Sequence, residues 1–210
     1  MDNDFYVLKQ MIQNNFESQI KEENIRRIIC SAVEVFSKKS VEATKIKDIA
    51  LNAGFSQGYI YNYFRSKEEL FSKIVELAAE GSVQTIKFAD LLPVSAFQKL
   101  NMLAYVLTDT DGLSVQHFRL TMMIISSPDS IPGKAKTLYA SSALPVIEHI
   151  SNIIACGQRD GEIIDGNPVT LAISFFSLVY GLLLMKLQAE NHSLFPTPEE
   201  LLNFIIKRKG

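Results

Sequence analysis

The chain has 210 residues, of which 47% are apolar and 21% charged, so it is long and apolar enough to fold around a sizeable core. Its net charge of −2 excludes a protein that binds nucleic acid by bulk positive charge alone. Its two cysteines, Cys30 and Cys156, exclude a disulfide scaffold or a zinc ribbon, and each lies in an apolar run that predicts a reduced thiol in the core.

The first 19 residues are expected to form an N-terminal extension. They contain no apolar signal-peptide core, so we expect a cytoplasmic protein. Four spaced apolar residues in this segment fit a short amphipathic turn or a frayed arm about equally well. They are Phe5, Leu8, Ile12 and Phe16.

Helical periodicity recurs along the rest of the chain and strand signals are scarce, which predicts an all-α fold. The first helix is expected over about 22–39, and Thr44 is expected to be the N-cap of a second, short helix that ends at Gly54. Ser56 is the predicted N-cap of a third helix through about Phe64. A capping box at 66–69 then predicts a long fourth helix.

The second half of the chain is expected to contain five further helices. Pro145 lies inside one of them and predicts a kink there. The expected ranges are about 94–109, 112–126, 134–159, 168–189 and 198–208.

The segment 44–67 has the proportions of a helix-turn-helix. If Ile60 and Phe64 face the core, four neighbouring residues point outward. Exposed tyrosines beside a glycine suit a nucleic-acid groove, since hydroxyls reach phosphates and an amide can pair with a base edge. The residues expected to point outward are Gly58, Tyr59, Tyr61 and Asn62.

Positive charge is concentrated around this segment. Residues 20–73 carry a net charge of +3 in a chain whose total is −2, which is the footprint of a localised groove binder. Six cations flank the predicted helix-turn-helix and would neutralise phosphates. They are Lys38, Lys39, Lys45, Lys47, Arg65 and Lys67.

Thr44, Asp48-Ile49-Ala50 and the continuous run 53–70 closely resemble the TetR family of bacterial transcription regulators. The family pattern runs T…IA…AGVS.GTLY.HF.SKE.L, and the similarity covers about 22–75. This chain departs from it at Tyr59, where the family has a small residue, and at Tyr63, where histidine is common. Both departures concern which bases are read. Pattern and resemblance together predict that the DNA-binding residues are Thr44, Lys45, Gln57, Gly58, Tyr59, Tyr61, Asn62, Tyr63 and Lys67.

The resemblance implies a helix-turn-helix domain over 20–66, with the motif itself at about 45–64. An effector-binding and dimerisation domain would follow over 67–210. It further implies a homodimer that binds a pseudo-palindromic operator in double-stranded DNA as a repressor and is released by a small effector. The composition of the middle helices predicts that this effector is mostly hydrophobic.

The run 169–185 contains no charged residue and reaches the lower limit for crossing a membrane. Its hydroxyl residues favour a buried helix instead, and no membrane partner is expected. The resemblance implies a subunit interface here, while burial in the chain's own core is the alternative. The expected interface residues are Phe176, Val179, Leu183, Leu187, Leu201 and Phe204.

The middle helices are rich in methionine and aromatic residues, which suit an adaptable apolar pocket, although each residue is individually compatible with a solid core. An inward Arg119 or the adjacent His117 would orient an anionic group. The candidate effector-binding residues are Tyr105, His117, Phe118, Arg119, Met122 and Phe175.

Other functions find less support in the sequence. It contains no Ser/His/Asp arrangement, HExxH motif or glycine-rich phosphate loop, so we expect neither an enzyme nor a bound cofactor or metal ion. A helical small-molecule-binding protein or enzyme without DNA binding is the alternative interpretation, and an anchor through 169–185 is a third.

Overall fold

The computed structural model describes residues 22–110, 113–126, 129 and 131–207. Within them the regular structure is helical apart from one isolated antiparallel bridge, so the all-α prediction is confirmed. The predicted N-terminal extension lies outside the described residues. The helices are α1 (Glu23–Lys38), α2 (Ile46–Ala53), α3 (Gln57–Tyr61), α4 (Lys67–Leu91), α5 (Ala96–Leu107), α6 (Leu113–Ser126), α7 (Gly133–Arg159), α8 (Pro168–Gln188) and α9 (Pro198–Leu201), with short 3-10 turns at His192–Leu194 and Leu202–Phe204.

The chain divides into two compact units. Of the described residues, the N-terminal unit contains 22–81, 116–126, 129 and 131–142. The C-terminal unit contains 82–110, 113–115 and 143–207. The functional boundary that we predict at residue 66 therefore falls inside a structural unit, and α4 and α7 each contribute to both units.

The core of the N-terminal unit joins the first three helices to parts of α4, α6 and α7. The rings of Phe36 and Phe71 meet edge to face with centroids 5.2 Å apart. Ile124 and Ile131 belong to the same buried cluster, which is why the segment after residue 116 folds with the N-terminal helices. The largest fully buried side chains here are Ile28, Ile29, Phe36, Ile49, Ile60, Leu70, Phe71 and Leu77.

The C-terminal unit packs α5, α8 and the second part of α7 around its own core. Gly157 permits a close approach, because a Cβ there would lie 2.7 Å from the Cβ of Ala96 and 2.6 Å from the Cδ1 of Ile163. The last predicted helix ends early. Ile206 pairs with Ile163 in the isolated bridge, and Ile164 donates its N–H to the carbonyl of Ile205 (2.9 Å), so extended pairing replaces the helical continuation to 208.

Helix α8 buries one face rather than its whole circumference. Ala172, Phe175 and Val179 are buried, whereas Ile173 is 51% and Met185 59% exposed. By length and composition this helix could cross a membrane, and 28% of its most apolar stretch is buried. Within one chain α8 is therefore buried on one face only, and an apolar face is left uncovered.

Candidate nucleic-acid interface

The helix-turn-helix is built around a tight turn at Gly54. Its φ of 71° lies in the left-handed region, where a side chain would be strained, and the chain can therefore reverse between α2 and α3. Ser56 then caps α3, since its side chain accepts the N–H of Tyr59 (3.1 Å). Ile60 is fully buried and Phe64 is 6% exposed, which confirms the predicted inward face.

The start of α2 differs from the prediction. Lys45 is the N-cap residue, and Thr44 lies one position before it. The hydroxyl of Thr44 donates to the carbonyl of Ser40 (2.9 Å), and the residue is 1% exposed. Thr44 is therefore wrongly predicted both as the N-cap and as a DNA contact, because its side chain closes the loop before α2 instead.

An exposed polar edge remains on the recognition helix α3 and its C-cap. Gln57, Gly58 and Asn62 are exposed, and Tyr61 is 47% exposed. Among the described residues, the Tyr61 hydroxyl has no hydrogen-bond partner, so it is available to a phosphate oxygen. Gly58, Tyr61 and Asn62 follow the predicted outward face, and Gln57 is exposed beside them.

The other two tyrosines of this segment do not point freely outward. The Tyr59 ring stacks on Phe55 with centroids 4.7 Å apart and meets the Tyr63 ring edge to face at 5.4 Å. Asn24 donates to the Tyr59 hydroxyl (2.8 Å), and the Tyr63 hydroxyl donates to Glu22 (2.7 Å). The outward orientation predicted for Tyr59 is therefore wrong, because its ring packs against the turn and its hydroxyl reaches α1.

Hydrogen bonding also shifts the pKa of Tyr63. The bond from Tyr59 and the adjacent Glu22 carboxylate both raise the pKa of Tyr63 above its ordinary value. Tyr63 therefore keeps its proton at neutral pH and remains a donor.

Arg27 supports the turn and was not predicted from the sequence. From α1 its guanidinium donates to the carbonyl of Ala53 (2.9 Å) and lies over the Phe55 ring at 4.6 Å. It thus satisfies an orphan carbonyl at the end of α2 and holds the turn by a cation–π contact. Arg27 lies among the charged residues of an amphipathic helix, and nothing in its spacing distinguishes it from a solvated neighbour.

The six flanking cations differ in what they already bind. Lys38 pairs with Glu34, and Lys39 lies 3.4 Å from the Asp48 carboxylate. Lys67 donates to the carbonyls of Thr44 (2.8 Å) and Glu42 (3.1 Å). Within the described part of the chain, no ion pair engages the exposed side chains of Lys45, Lys47 and Arg65.

The acidic partners of these cations are shifted toward the ionised form. Hydrogen bonds from Lys38 and then Asn52 lower the pKa of Glu34. The backbone N–H of Lys45 lowers the pKa of Asp48, with a smaller contribution from Lys39. Both carboxylates stay charged at neutral pH and partly neutralise Lys38 and Lys39, which leaves Lys45, Lys47 and Arg65 as the cations most available to a phosphate.

The predicted effector residues are divided between the two units. Tyr105 (45% exposed) and the fully buried Phe175 belong to the C-terminal unit. Phe118, which is buried, and the half-buried Met122 belong to the N-terminal unit. Arg119 is exposed, so its predicted inward orientation is wrong. His117 lies in α6, and its side chain is outside the described part.

The predicted interface residues are only partly at the surface. Val179 and Leu183 are 1% and 2% exposed and pack inside the chain's own fold, so they are wrongly predicted as interface residues. Phe176, Leu187 and Leu201 are half-buried, and Phe204 is 36% exposed. The sequence placed the apolar helix correctly but not its inner and outer faces, because both faces are apolar.

A short, capped recognition helix, held by a glycine turn and flanked by exposed cations, is the geometry of a helix-turn-helix. Residues 28–74 match the family model of bacterial regulatory proteins, tetR family. The match covers the helix-turn-helix segment, and the curated relatives that the chain matches are named as transcriptional regulators rather than enzymes.

The similarity to individual relatives is strongest in this segment. The chain is 35% identical over 66 residues to the uncharacterised regulator YfiR of Bacillus subtilis, an alignment that covers 31% of this chain and 32% of YfiR. It is 21% identical to the repressor KstR2 of Rhodococcus jostii, over 69% of this chain and 70% of KstR2. A protein from Saccharomonospora viridis, solved in complex with choline, shares the fold with a TM-score of 0.71 and 22% identity, over 89% of this chain and 99% of that one.

Lys67 is expected to stabilise the fold, whereas Lys47 is not. Lys67→Met removes two hydrogen bonds that the ammonium group donates to backbone carbonyls, one of which belongs to the buried Thr44. This change should lower the free energy of unfolding by about 1–2 kcal/mol. Lys47→Met is the matched control, because Lys47 is exposed, and should leave this free energy within about 0.5 kcal/mol of the wild type. Urea unfolding measures both. Equal stability of the two variants would contradict a structural role for Lys67.

Proposed function

We propose that the chain is a DNA-binding repressor whose recognition helix α3 enters the major groove. The observation that supports this best is the exposed edge of Gln57, Gly58, Tyr61 and Asn62 on a helix anchored by buried residues. Amide side chains can pair with base edges, and the tyrosine hydroxyl can contact a phosphate. Lys45, Lys47 and Arg65 would add phosphate contacts on either side. Because such a repressor acts on DNA, we also propose a cytoplasmic location.

The proposed repressor acts as a homodimer joined through α8. The exposed face of α8 includes Val169, Ile173, Leu184 and Met185, which is more apolar surface than a lone helix usually presents to water. Two copies of the same face form an isologous interface, and two recognition helices then read a pseudo-palindrome with half-sites about one helical turn apart. The half-buried Leu201 and the exposed Phe204 would extend this interface.

The effector is proposed to be a small, mostly apolar molecule that binds in the C-terminal unit. Tyr105 and Phe175 remain candidates, and Asn101 offers a further clue. Its Oδ1 is buried, and among the described residues it has no hydrogen-bond partner. A bound molecule with a donor group would satisfy that oxygen. The choline found in the Saccharomonospora viridis protein shows that a neighbour of the same fold accommodates a small organic ligand.

Effector binding would act by population shift. In one conformer the two recognition helices match the half-site spacing, and in the other they do not. A ligand that binds the second conformer more tightly lowers DNA affinity, by as much as its affinities for the two conformers differ.

Asn62 and Tyr61 are expected to affect DNA binding differently. Asn62→Ala should change which sequences the chain prefers, at about 1–3 kcal/mol for the affected base pair. Tyr61→Ala should weaken binding to all duplexes by a similar factor, because a phosphate contact carries no sequence information. Selection from a random duplex pool with each variant measures both. An unchanged preference for Asn62→Ala would contradict the proposed orientation of α3.

The proposed interface is tested by a charge on the exposed face of α8. Ile173 is 51% exposed in the single chain, so Ile173→Asp should leave the fold intact yet bury an unpaired carboxylate in the dimer and dissociate it. Leu51→Asp is the matched control at an 84% exposed position in α2 and should remain dimeric. Light scattering measures both masses. A monomeric wild type, or a dimer that survives Ile173→Asp, would exclude this interface.

A further inference from the structure

A continuous chain of hydrogen bonds connects the recognition segment to the beginning of α1. Asn24 donates to the Tyr59 hydroxyl (2.8 Å), and the Tyr59 and Tyr63 hydroxyls are 3.1 Å apart. Tyr63 in turn donates to a carboxylate oxygen of Glu22 (2.7 Å). Since Asn24 can only donate through Nδ2 and Glu22 can only accept, Tyr59 must donate to Tyr63, and every bond has one donor and one acceptor.

The recognition helix needs such external support. α3 has five residues, far fewer than an isolated helix requires for stability in water. Within α3, Ile60 is the buried residue, and a single buried side chain does not prevent the helix from rotating about it. The Tyr59 ring, stacked on Phe55, and the Tyr63 ring, edge to face with Tyr59, form a second line of contacts beside Ile60.

These contacts also limit what the two tyrosines can offer DNA. A hydroxyl that already donates to a carboxylate is not available to a phosphate, and the Glu22 charge beside it repels a phosphate. We propose that Tyr59, Tyr63, Asn24 and Glu22 are positioning residues that fix the reading orientation of α3, and that Tyr59 and Tyr63 do not themselves contact DNA. This inference rests on the proposed DNA-binding function and assigns base reading to the exposed edge of α3.

Glu22→Ala separates the two roles by the sign of its effect. If Tyr63 contacts a phosphate, removing a nearby negative charge and releasing its hydroxyl should strengthen DNA binding. If Tyr63 positions α3, the same change should weaken sequence-specific binding, because a smaller fraction of the protein is in the reading orientation. Glu23→Ala is the matched control, because it removes the same charge one residue further along the chain. The Glu23 carboxylate accepts a hydrogen bond from Arg26, whereas that of Glu22 accepts one from Tyr63.

The experiment compares two duplexes, the tightest binder that the wild-type chain selects from a random pool and a shuffled version of it. Glu22→Ala should bind the selected duplex roughly tenfold more weakly while its affinity for the shuffled duplex stays within about twofold, since the lost hydrogen bond involves a charged group. Glu23→Ala should not weaken either affinity. Tighter binding of both duplexes by Glu22→Ala would overturn the inference.

Two further variants keep the test decisive if Glu22→Ala also destabilises the fold. Glu22→Gln retains the acceptor and should recover most of the lost affinity, and Tyr63→Phe should reproduce the selective weakening. Equal loss on both duplexes with Glu22→Ala and Tyr63→Phe alike would overturn the inference in favour of a purely structural role.

A readout without DNA separates this inference from the proposed function. Amide hydrogen exchange over 57–63 should be faster in Glu22→Ala than in Glu23→Ala, because only the former removes the bond between Tyr63 and Glu22 that ends this chain of hydrogen bonds. Equal exchange in the two variants would overturn the inference. A wild-type chain that binds neither duplex would overturn the proposed function and would remove the reading role with it.

Discussion

The turn at Gly54 is the constraint on which the interface depends. Gly54 takes a left-handed conformation, which allows the chain to reverse direction between α2 and α3. A helix of five residues, such as α3, is not stable on its own in water. The protein therefore holds the turn from outside. Arg27 binds the last carbonyl of α2 and covers Phe55, while Ile60 and Phe64 sink into the core beneath.

Residues of the same type near the motif therefore differ in role, since some are exposed and others are held by contacts within the fold. Tyr61 is exposed without a partner for its hydroxyl among the described residues, whereas Tyr59 and Tyr63 are hydrogen-bonded to α1. The cations divide in the same way. Lys67 is held by two carbonyls and Lys39 lies near a carboxylate, while Lys45, Lys47 and Arg65 project from the same region. Proximity to the motif does not make a residue a DNA contact.

The sequence predicted what local rules control. Period-3.6 apolar patterns found the helices, Ser56 was correctly identified as a cap, and Gly54 as a turn. The sequence-based predictions were wrong where a side chain's burial or hydrogen-bond partner depends on tertiary contacts. Thr44 looked like an N-cap but bonds back to Ser40, and Cys30, expected in the core, is exposed. The inner and outer faces of α8 were confused because both are apolar, so composition carried no periodic signal.

The proposed repressor requires that a localised basic surface on an acidic chain binds DNA through phosphates. The most direct test is to measure affinity for the selected duplex at several salt concentrations. Counterion release predicts a straight log–log plot that falls with salt, at about 0.9 per neutralised phosphate. Three cations per subunit that form no ion pair within the described residues, counted over two subunits, give a slope of roughly −5. A flat plot would contradict phosphate-led binding and with it the proposed repressor.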